Sequence, residues 1–146
     1  MRKTAVAAVA SLLALSGCAC LTGAPPDPKH PKVYVVASKD GKDKAVVVDQ
    51  EPIYFFREHG PKVAIRWVLH TPGYRFDTTK GIDSIKPLYG PPDQIHGCRV
   101  EADSKDQAYV CTNENSATGA YKYTINIVST DGSPSPKPLD PTVAND

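Results

Sequence analysis

Cysteine and histidine are the residue types in this sequence best suited to binding a metal or carrying out redox and acid–base chemistry. The chain has 146 residues and contains four of each. The histidines, His30, His59, His70 and His96, lie on separate segments without the i, i+2 or i, i+4 spacing that brings two imidazoles to one metal. We therefore predict no metal centre and no cofactor, and interpret each histidine as a solvated or loop residue.

Asp93 and His96 form the best candidate for acid–base chemistry. A carboxylate three residues from an imidazole can orient that ring as a general base. The same residues, which follow Pro91 and Pro92, also fit a proline-rich surface loop. The sequence contains no G-x-S-x-G, H-E-x-x-H, P-loop or dinucleotide fingerprint. We predict that the protein is not an enzyme, with a catalytic Asp93–His96 pair as the alternative.

Cys98 and Cys111 are predicted to form a disulfide. If residues 103–106 form a hairpin turn, Ala102 faces Gln107, and counting back along both strands places Cys98 opposite Cys111. A zinc or redox pair is the alternative, but neither a C-x-x-C spacing nor further ligands support it. On the chain-entropy model, a bond closing a loop of this length contributes ~3 kcal/mol.

The N-terminus has the pattern of an export signal. Arg2 and Lys3 precede an apolar run, Ala5–Leu15, that is too short to span a bilayer. The run ends in Leu15-Ser16-Gly17-Cys18, which resembles the lipobox of bacterial lipoproteins. The resemblance implies cleavage before Cys18, a diacylglycerol on its thiol and an acylated amino group. An ordinary signal peptide cut after Ala19 is the alternative.

Lipidation at Cys18 would anchor the protein stably in a membrane, because several acyl chains bind far better than one. In Gram-negative members of this family, a residue other than Asp after the cysteine implies sorting to the outer membrane, and here Ala19 follows. We therefore expect a lipid-anchored envelope protein, facing the periplasm if the cell is Gram-negative. Cys20 is left over, either free or paired between chains.

Proline and glycine define the expected domain organisation. The chain has 14 prolines and 10 glycines, which argues against long helices. We predict a signal peptide (1–17), a lipidated proline-rich tether (18–31), a folded domain (32–130) and a proline-rich tail (131–146). At ~3.1 Å per residue the tether would hold the domain roughly 40 Å from the membrane. The tail is expected to be polyproline II, either solvated, covering a strand or bound to a proline-binding groove.

Short runs with a period of two predict an all-β domain. Val63, Ile65, Trp67 and Leu69 form one apolar face, and Tyr121, Tyr123, Ile125 and Ile127 form another. These two segments resemble the V-x-W and G-x-Y-x-(Y/C) strands of immunoglobulin-like and cupredoxin-like sandwiches. The resemblance implies a small antiparallel β-sandwich. Trp67, Gly81-Ile82, the cysteine pair and the segment 139–145 are together also similar to small exported bacterial proteins of uncharacterised function.

A cupredoxin would hold copper, but the residues that this family needs are missing here. The position eight after Trp67 is Arg75 rather than His, no histidine follows Tyr121, and the only methionine is Met1. A type-1 copper site therefore cannot be assembled. The resemblance extends to the fold alone.

Tyr54, Phe55 and Phe56 predict a partner surface. Three consecutive large aromatic residues occupy both faces of one strand, so at least one must point away from the core. An edge strand covered by the proline-rich tail is the alternative.

The predicted function is that of a non-catalytic binding module held to a membrane by its N-terminal lipid. Its partner is expected to be an envelope protein or the cell wall, and the balance of 17 basic and 16 acidic residues argues against nucleic acid. The alternative is a periplasmic inhibitor or immunity protein that acts against a toxin or lytic enzyme.

Overall fold

The computed structural model describes residues 25–39, 41 and 43–146. The expected signal peptide, Cys18 and Cys20 lie outside these residues. In the described part of the chain no helix has the length and apolar character needed to cross a membrane. The strands of this part are β1 (Lys32–Ala37), β2 (Lys44–Val48), β3 (Ile53–Phe55), β4 (Val63–Leu69), β5 (Tyr74–Phe76), β6 (Ile82–Tyr89), β7 (Ile95–Val100), β8 (Ala108–Asn113), β9 (Gly119–Ile125), β10 (Ile127–Ser129) and β11 (Thr142–Asn145).

The strands form a β-sandwich-like all-β fold rather than a closed barrel. One sheet has five strands in the order β2-β1-β4-β8-β7, and the other has four in the order β3-β11-β9-β6. Strands β10 and β5 form a separate pair. The sandwich is not wholly antiparallel, because β1 runs parallel to β4 and β11 runs parallel to β3. Its likeness to the immunoglobulin-like or cupredoxin-like subtype stays a prediction.

The period-two pattern of β4 and β9 produces the core. All four predicted inward residues of β4 are buried, and Trp67, the largest of them, has no exposed surface. Tyr121, Tyr123 and Ile125 of β9 are buried opposite them. Ile127 is also buried, but it lies in β10, because the chain leaves the four-stranded sheet at Asn126. There the backbone N–H of Asn126 donates to Gly81 O at 2.8 Å and its side chain donates to Lys80 O.

Trp67 and Tyr123 join the two sheets at the centre of the core. The indole Nε1–H donates to the Tyr123 hydroxyl at 3.1 Å, and the ring centroids are 5.3 Å apart. Burial raises the pKa of Tyr123 well above its ordinary value, so the phenol stays protonated. The contact satisfies a polar group of each sheet where water has no access.

The disulfide between Cys98 and Cys111 is present, and its register is the expected one. Strand β7 pairs with β8 through Arg99↔Val110 and Val100↔Tyr109. The same register continues toward the turn, where the backbone N–H of Glu101 donates a hydrogen bond to Ala108 O. The two cysteine Cα atoms are 4.1 Å apart. A register shift lies between His96 and Arg99, where Gly97 has a φ of 63°.

The C-terminal boundary predicted for the domain is wrong. Residues 131–146 were expected to be a tail, yet β11 lies inside the four-stranded sheet, between β3 and β9. Val143 has no exposed surface. The proline-rich stretch before β11 is also attached, through hydrogen bonds between Leu139 and Ile125 and from Lys137 N to Lys44 O. The prolines before this strand make it difficult to recognise from the sequence. In the structure, Thr142–Asn145 alternates between half-buried and buried positions.

The N-terminal boundary also differs from the prediction, since part of the expected tether belongs to the fold. Arg66 N donates to Lys29 O at 2.8 Å and Val68 N donates to Pro31 O at 3.0 Å, so the segment before β1 lies along β4. Pro31 is buried. The Gln50 amide donates to Asp27 O at 2.8 Å. The chain is therefore attached to the domain from Asp27 onward, so this part of the predicted tether 18–31 belongs to the fold.

Replacing Tyr123 with Phe should destabilise the protein by about 1–3 kcal/mol, because the buried Trp67 N–H loses its acceptor. Urea unfolding measures this loss. Tyr54→Phe is the matched control, since the Tyr54 side chain is exposed, and it should change stability by less than about 0.5 kcal/mol. Equal stability of the two variants would contradict the assigned role of this hydrogen bond.

Replacing Cys98 and Cys111 together with Ala should lower the free energy of unfolding by ~3 kcal/mol, the value for a loop of this length. Thermal unfolding of the wild type with and without a reductant should reproduce this difference, while the double variant should not respond to the reductant. A wild type whose stability is the same with and without a reductant would show that the disulfide does not constrain the chain.

Candidate binding surface

The aromatic triplet lies on β3, a three-residue edge strand of the four-stranded sheet. Phe55 points inward and has no exposed surface, so it is part of the core and not of the predicted partner surface. Tyr54 and Phe56 point outward and are 54% and 43% exposed. Their rings are nearly parallel, with centroids 6.4 Å apart. Two of the three predicted residues therefore form an exposed aromatic ridge.

A third aromatic residue lies on the opposite edge of the same sheet face. The strand register sets Tyr54 beside Ala144, Ala144 beside Ala120, and Ala120 beside Tyr89 of β6. Residues that are direct register partners share a face of the sheet, so this row crosses all four strands on the outer face. Tyr89 is 60% exposed, whereas Ala120 is buried.

The row borders a shallow trough that has Tyr54 and Tyr89 as walls and Ala144 on its floor. The cavity has a volume of about 230 Å³ and also touches Phe56, Thr118, Asn145 and Asp146. Leu88, next to Tyr89, is 60% exposed and extends the apolar surface. We call the outward residues Tyr54, Phe56, Leu88, Tyr89, Ala120 and Ala144 the aromatic face.

Two glycines allow the backbone to approach closely beside Tyr89. A Cβ on Gly119 would clash with the ring of Tyr121 and lie 3.0 Å from Tyr89 O. Gly90 has a φ of 93°, and a Cβ there would lie 2.7 Å from Thr118 O. Below them the Tyr121 hydroxyl donates to Pro91 O at 3.0 Å. This end of the trough is therefore closely packed.

A buried network of asparagines holds the other wall. Asn113 of β8 and Asn145 of β11 exchange two amide hydrogen bonds, at 2.8 and 2.9 Å, between the two sheets. Asn113 Oδ1 also accepts from the backbone of Asn115. The Asn115 amide nitrogen then donates to Phe56 O at 3.1 Å and Gly60 O at 3.0 Å. The backbone of the ridge is therefore fixed from the core.

Asn115 has two unusual features that fit this role. Its φ is 44°, in the left-handed region, which asparagine tolerates better than most residues. Its Oδ1 is the one buried side-chain oxygen or nitrogen among the described residues that has no hydrogen-bond partner. The carbonyls of Phe56 and Gly60 both accept from this side chain, so its NH₂ end points toward the ridge.

His59 supports Phe56 from the solvent side. The backbone N–H of Phe56 lies 2.9 Å from His59 Nδ1 and is directed at it. The imidazole lies nearly parallel to the Phe56 ring, with centroids 5.9 Å apart. It belongs to a short 3-10 turn, Arg57–His59, that follows the ridge directly. The side chain of His59 therefore helps to hold the backbone of Phe56 in place.

A groove beside the ridge is lined in part by the N-terminal end of the described chain. It has a volume of about 550 Å³ and is lined by Pro25, Pro26, Asp27, Pro28, Gln50, Pro52, Tyr54, Phe56, Glu58 and His59. The alternative to a partner surface was an edge strand covered by the C-terminal tail. In the structure, β11 is instead the sheet partner of β3. The N-terminal prolines line the groove beside Tyr54 and Phe56.

The charges around the aromatic face are mixed. Lys86 and Lys122 are register partners in the next part of the sheet, and Lys122 lies 3.8 Å from Asp140. Burial raises the pKa of Glu51, while a backbone hydrogen bond with Thr142 and the charge of Lys122 act in the opposite direction. Glu58 and Asp146 border the two cavities. The charged side chains near the aromatic face are therefore of both signs.

The Asp93–His96 pair, which was the alternative to a surface loop, is not assembled. His96 Nε2 lies 2.8 Å from the Glu114 carboxylate, so Glu114 is the carboxylate that pairs with this ring. His30 pairs with Asp27 at 2.7 Å, and this hydrogen bond lowers the pKa of Asp27. Within the ranges that the structure describes, no three His, Cys, Asp or Glu side chains form a group that could hold a metal ion.

Sequence reasoning missed Leu88, Tyr89, Ala120 and Ala144. Tyr89 and Tyr54 are 35 residues apart, and only the pairing of four strands brings them to one row. In β9, Ala120 and Lys122 alternate with the inward Tyr121 and Tyr123. This alternation could have placed Ala120 on the outer face. No comparable signal placed Ala144, because its strand was not expected.

No protein-family model matches this chain, and none of the curated proteins is significantly similar to it. The properties of the aromatic face therefore rest on the residues and geometry described above.

Replacing Asn115 with Gly should loosen the ridge. Glycine keeps the left-handed backbone but removes the amide, so Gly60 O loses its donor and Phe56 O keeps only the backbone N–H of His59. The protein should lose about 1–3 kcal/mol of stability. Hydrogen exchange at residues 53–60 should accelerate. Asn126→Ala is the control, because it removes a similar hydrogen bond to Lys80 O, and exchange at 53–60 should stay unchanged there.

Proposed function

We propose that this protein is a lipid-anchored, non-catalytic binding module of the bacterial envelope, and that the aromatic face is its binding surface. The observation that supports this proposal is the row Tyr54–Ala144–Ala120–Tyr89 on the outer face of the four-stranded sheet. Exposed aromatic rings around a shallow apolar floor are typical of surfaces that another molecule covers.

The chemistry of the aromatic face supports binding rather than catalysis. Its side chains are aromatic rings, two alanine methyl groups and one leucine, which act mainly through burial and stacking. The surface is also held rigid, since Asn115 and His59 fix Phe56 and the glycines 90 and 119 fix the backbone around Tyr89. A rigid surface loses less conformational entropy when it binds.

The lipid anchor is proposed from the lipobox resemblance at Cys18. The structure begins seven residues after Cys18, so the anchor and the domain are separated by a short linker. In a Gram-negative cell, Ala19 directs the anchored protein to the outer membrane, with the domain in the periplasm. This arrangement restricts the partner to what lies close to that membrane.

Cells grown with labelled palmitate test the anchor. The wild-type chain should incorporate the label and sediment with membranes, and Cys18→Ala should lose the label. Cys20→Ala is the matched control, since it removes a neighbouring thiol outside the lipobox and should keep the label. Wild-type protein without label, or label that persists in Cys18→Ala, would overturn the anchor.

The second candidate function is an inhibitor or immunity protein, for which the rigid trough supplies a surface of the right kind. It predicts tight binding to a toxin or to a lysozyme-type enzyme, with loss of affinity on Tyr54→Ser or Tyr89→Ser. A binding titration with purified lysozyme distinguishes this candidate from the first, which predicts no such binding.

A further inference from the structure

The aromatic ridge lies where the chain enters the folded domain. Pro25 and Pro26, the first residues that the structure describes, line the same groove as Tyr54 and Phe56. The Gln50–Asp27 hydrogen bond fixes the chain just after this point. Whatever the N-terminus is attached to therefore lies on the side of the domain that carries the ridge.

The chain between Cys18 and the domain is short compared with the domain itself. From Cys18 to Pro25 there are seven residue steps, which span at most about 25 Å when fully extended. A domain of this size has a radius of gyration of about 14 Å and a diameter of about 35 Å. Because this span is smaller than the diameter, the side of the domain opposite the ridge cannot lie against the membrane that holds Cys18.

From these observations we propose that the aromatic face rests on the lipid headgroups of the membrane that carries the anchor. The proposal rests on the proposed lipidation of Cys18 and names the partner of the aromatic face as the bilayer interface. Tyr54, Phe56 and Tyr89 insert their rings at headgroup level, where aromatic side chains are favoured, and Leu88 adds an aliphatic contact. The lipid and the rings together give the two attachments that orient the domain.

The charges near the face determine which lipids it accepts. Lys86 and Lys122 are offset by Asp140, Glu58 and Asp146, so the surface has no excess of positive charge that would favour anionic lipids. We therefore expect contact with zwitterionic phosphatidylcholine and little dependence on salt concentration.

Fluorescence quenching by brominated lipid tests the contact. The full chain is expressed with its own signal and purified with its lipid. It is then reconstituted into phosphatidylcholine vesicles brominated on the upper acyl carbons. Phe56→Trp places an indole in the ridge, and Val36→Trp is the matched control, on an exposed position of the other sheet. Native Trp67 is fully buried and provides a constant background.

We expect several-fold stronger quenching for Phe56→Trp than for Val36→Trp, unchanged when the salt concentration is raised. Equal quenching of the two variants would overturn the inference. Palmitate labelling of the same samples separates the two proposals. Labelled protein without selective quenching overturns the membrane contact alone, whereas unlabelled protein overturns the anchor and the contact with it.

A photocrosslinking experiment in growing cells identifies the occupant directly. A benzophenone side chain in place of Phe56 keeps the aromatic character of the ridge and reacts with whatever lies against it. Adducts with phospholipid are expected at position 56 and not at position 36. Adducts with a second copy of the chain, or with another protein of defined mass, would assign the face to a protein partner and overturn the membrane contact.

Discussion

The hydrogen bond between Trp67 and Tyr123 is the contact on which the arrangement of the two sheets depends. It joins the inward faces of β4 and β9, and each strand alternates its side chains between two faces. With Tyr121 and Tyr123 inside, Ala120 and Lys122 must lie outside. The outer face of β9 is therefore a consequence of the core, and a shift of β9 by one residue would place a tyrosine where Ala120 faces outward.

The asparagines connect the same core to the surface. Asn113 and Asn145 join the sheets through paired amides, and Asn115 extends this network to the carbonyl of Phe56. Buried polar groups are costly when unpaired, so this network tolerates few alternative alignments of β8 against β11. The position of the ridge is thus determined by residues that solvent hardly reaches.

The sequence predicted what local periodicity and turn chemistry determine. The alternation in β4 and β9 and the count from the turn at 103–106 identified the core strands and the Cys98–Cys111 pair. Prediction from the sequence failed where the contacts that determine the structure join residues far apart in the chain. Strand β11 follows prolines and has four residues, so only its place between β3 and β9 reveals it. Likewise, backbone hydrogen bonds hold the N-terminal segment to β4. Such bonds do not depend on side-chain type, so the sequence pattern does not predict them.

The position of β11 also sets the order in which the fold can be completed. Strand β3 has β11 as its sheet partner, roughly 90 residues further along the chain. Pairing over such a separation is slow, because a long loop must close first. During synthesis Ile53–Phe55 therefore waits without a partner until Thr142–Asn145 is free to pair with it. The segment richest in aromatic residues is thus the one exposed longest to chaperones and to aggregation.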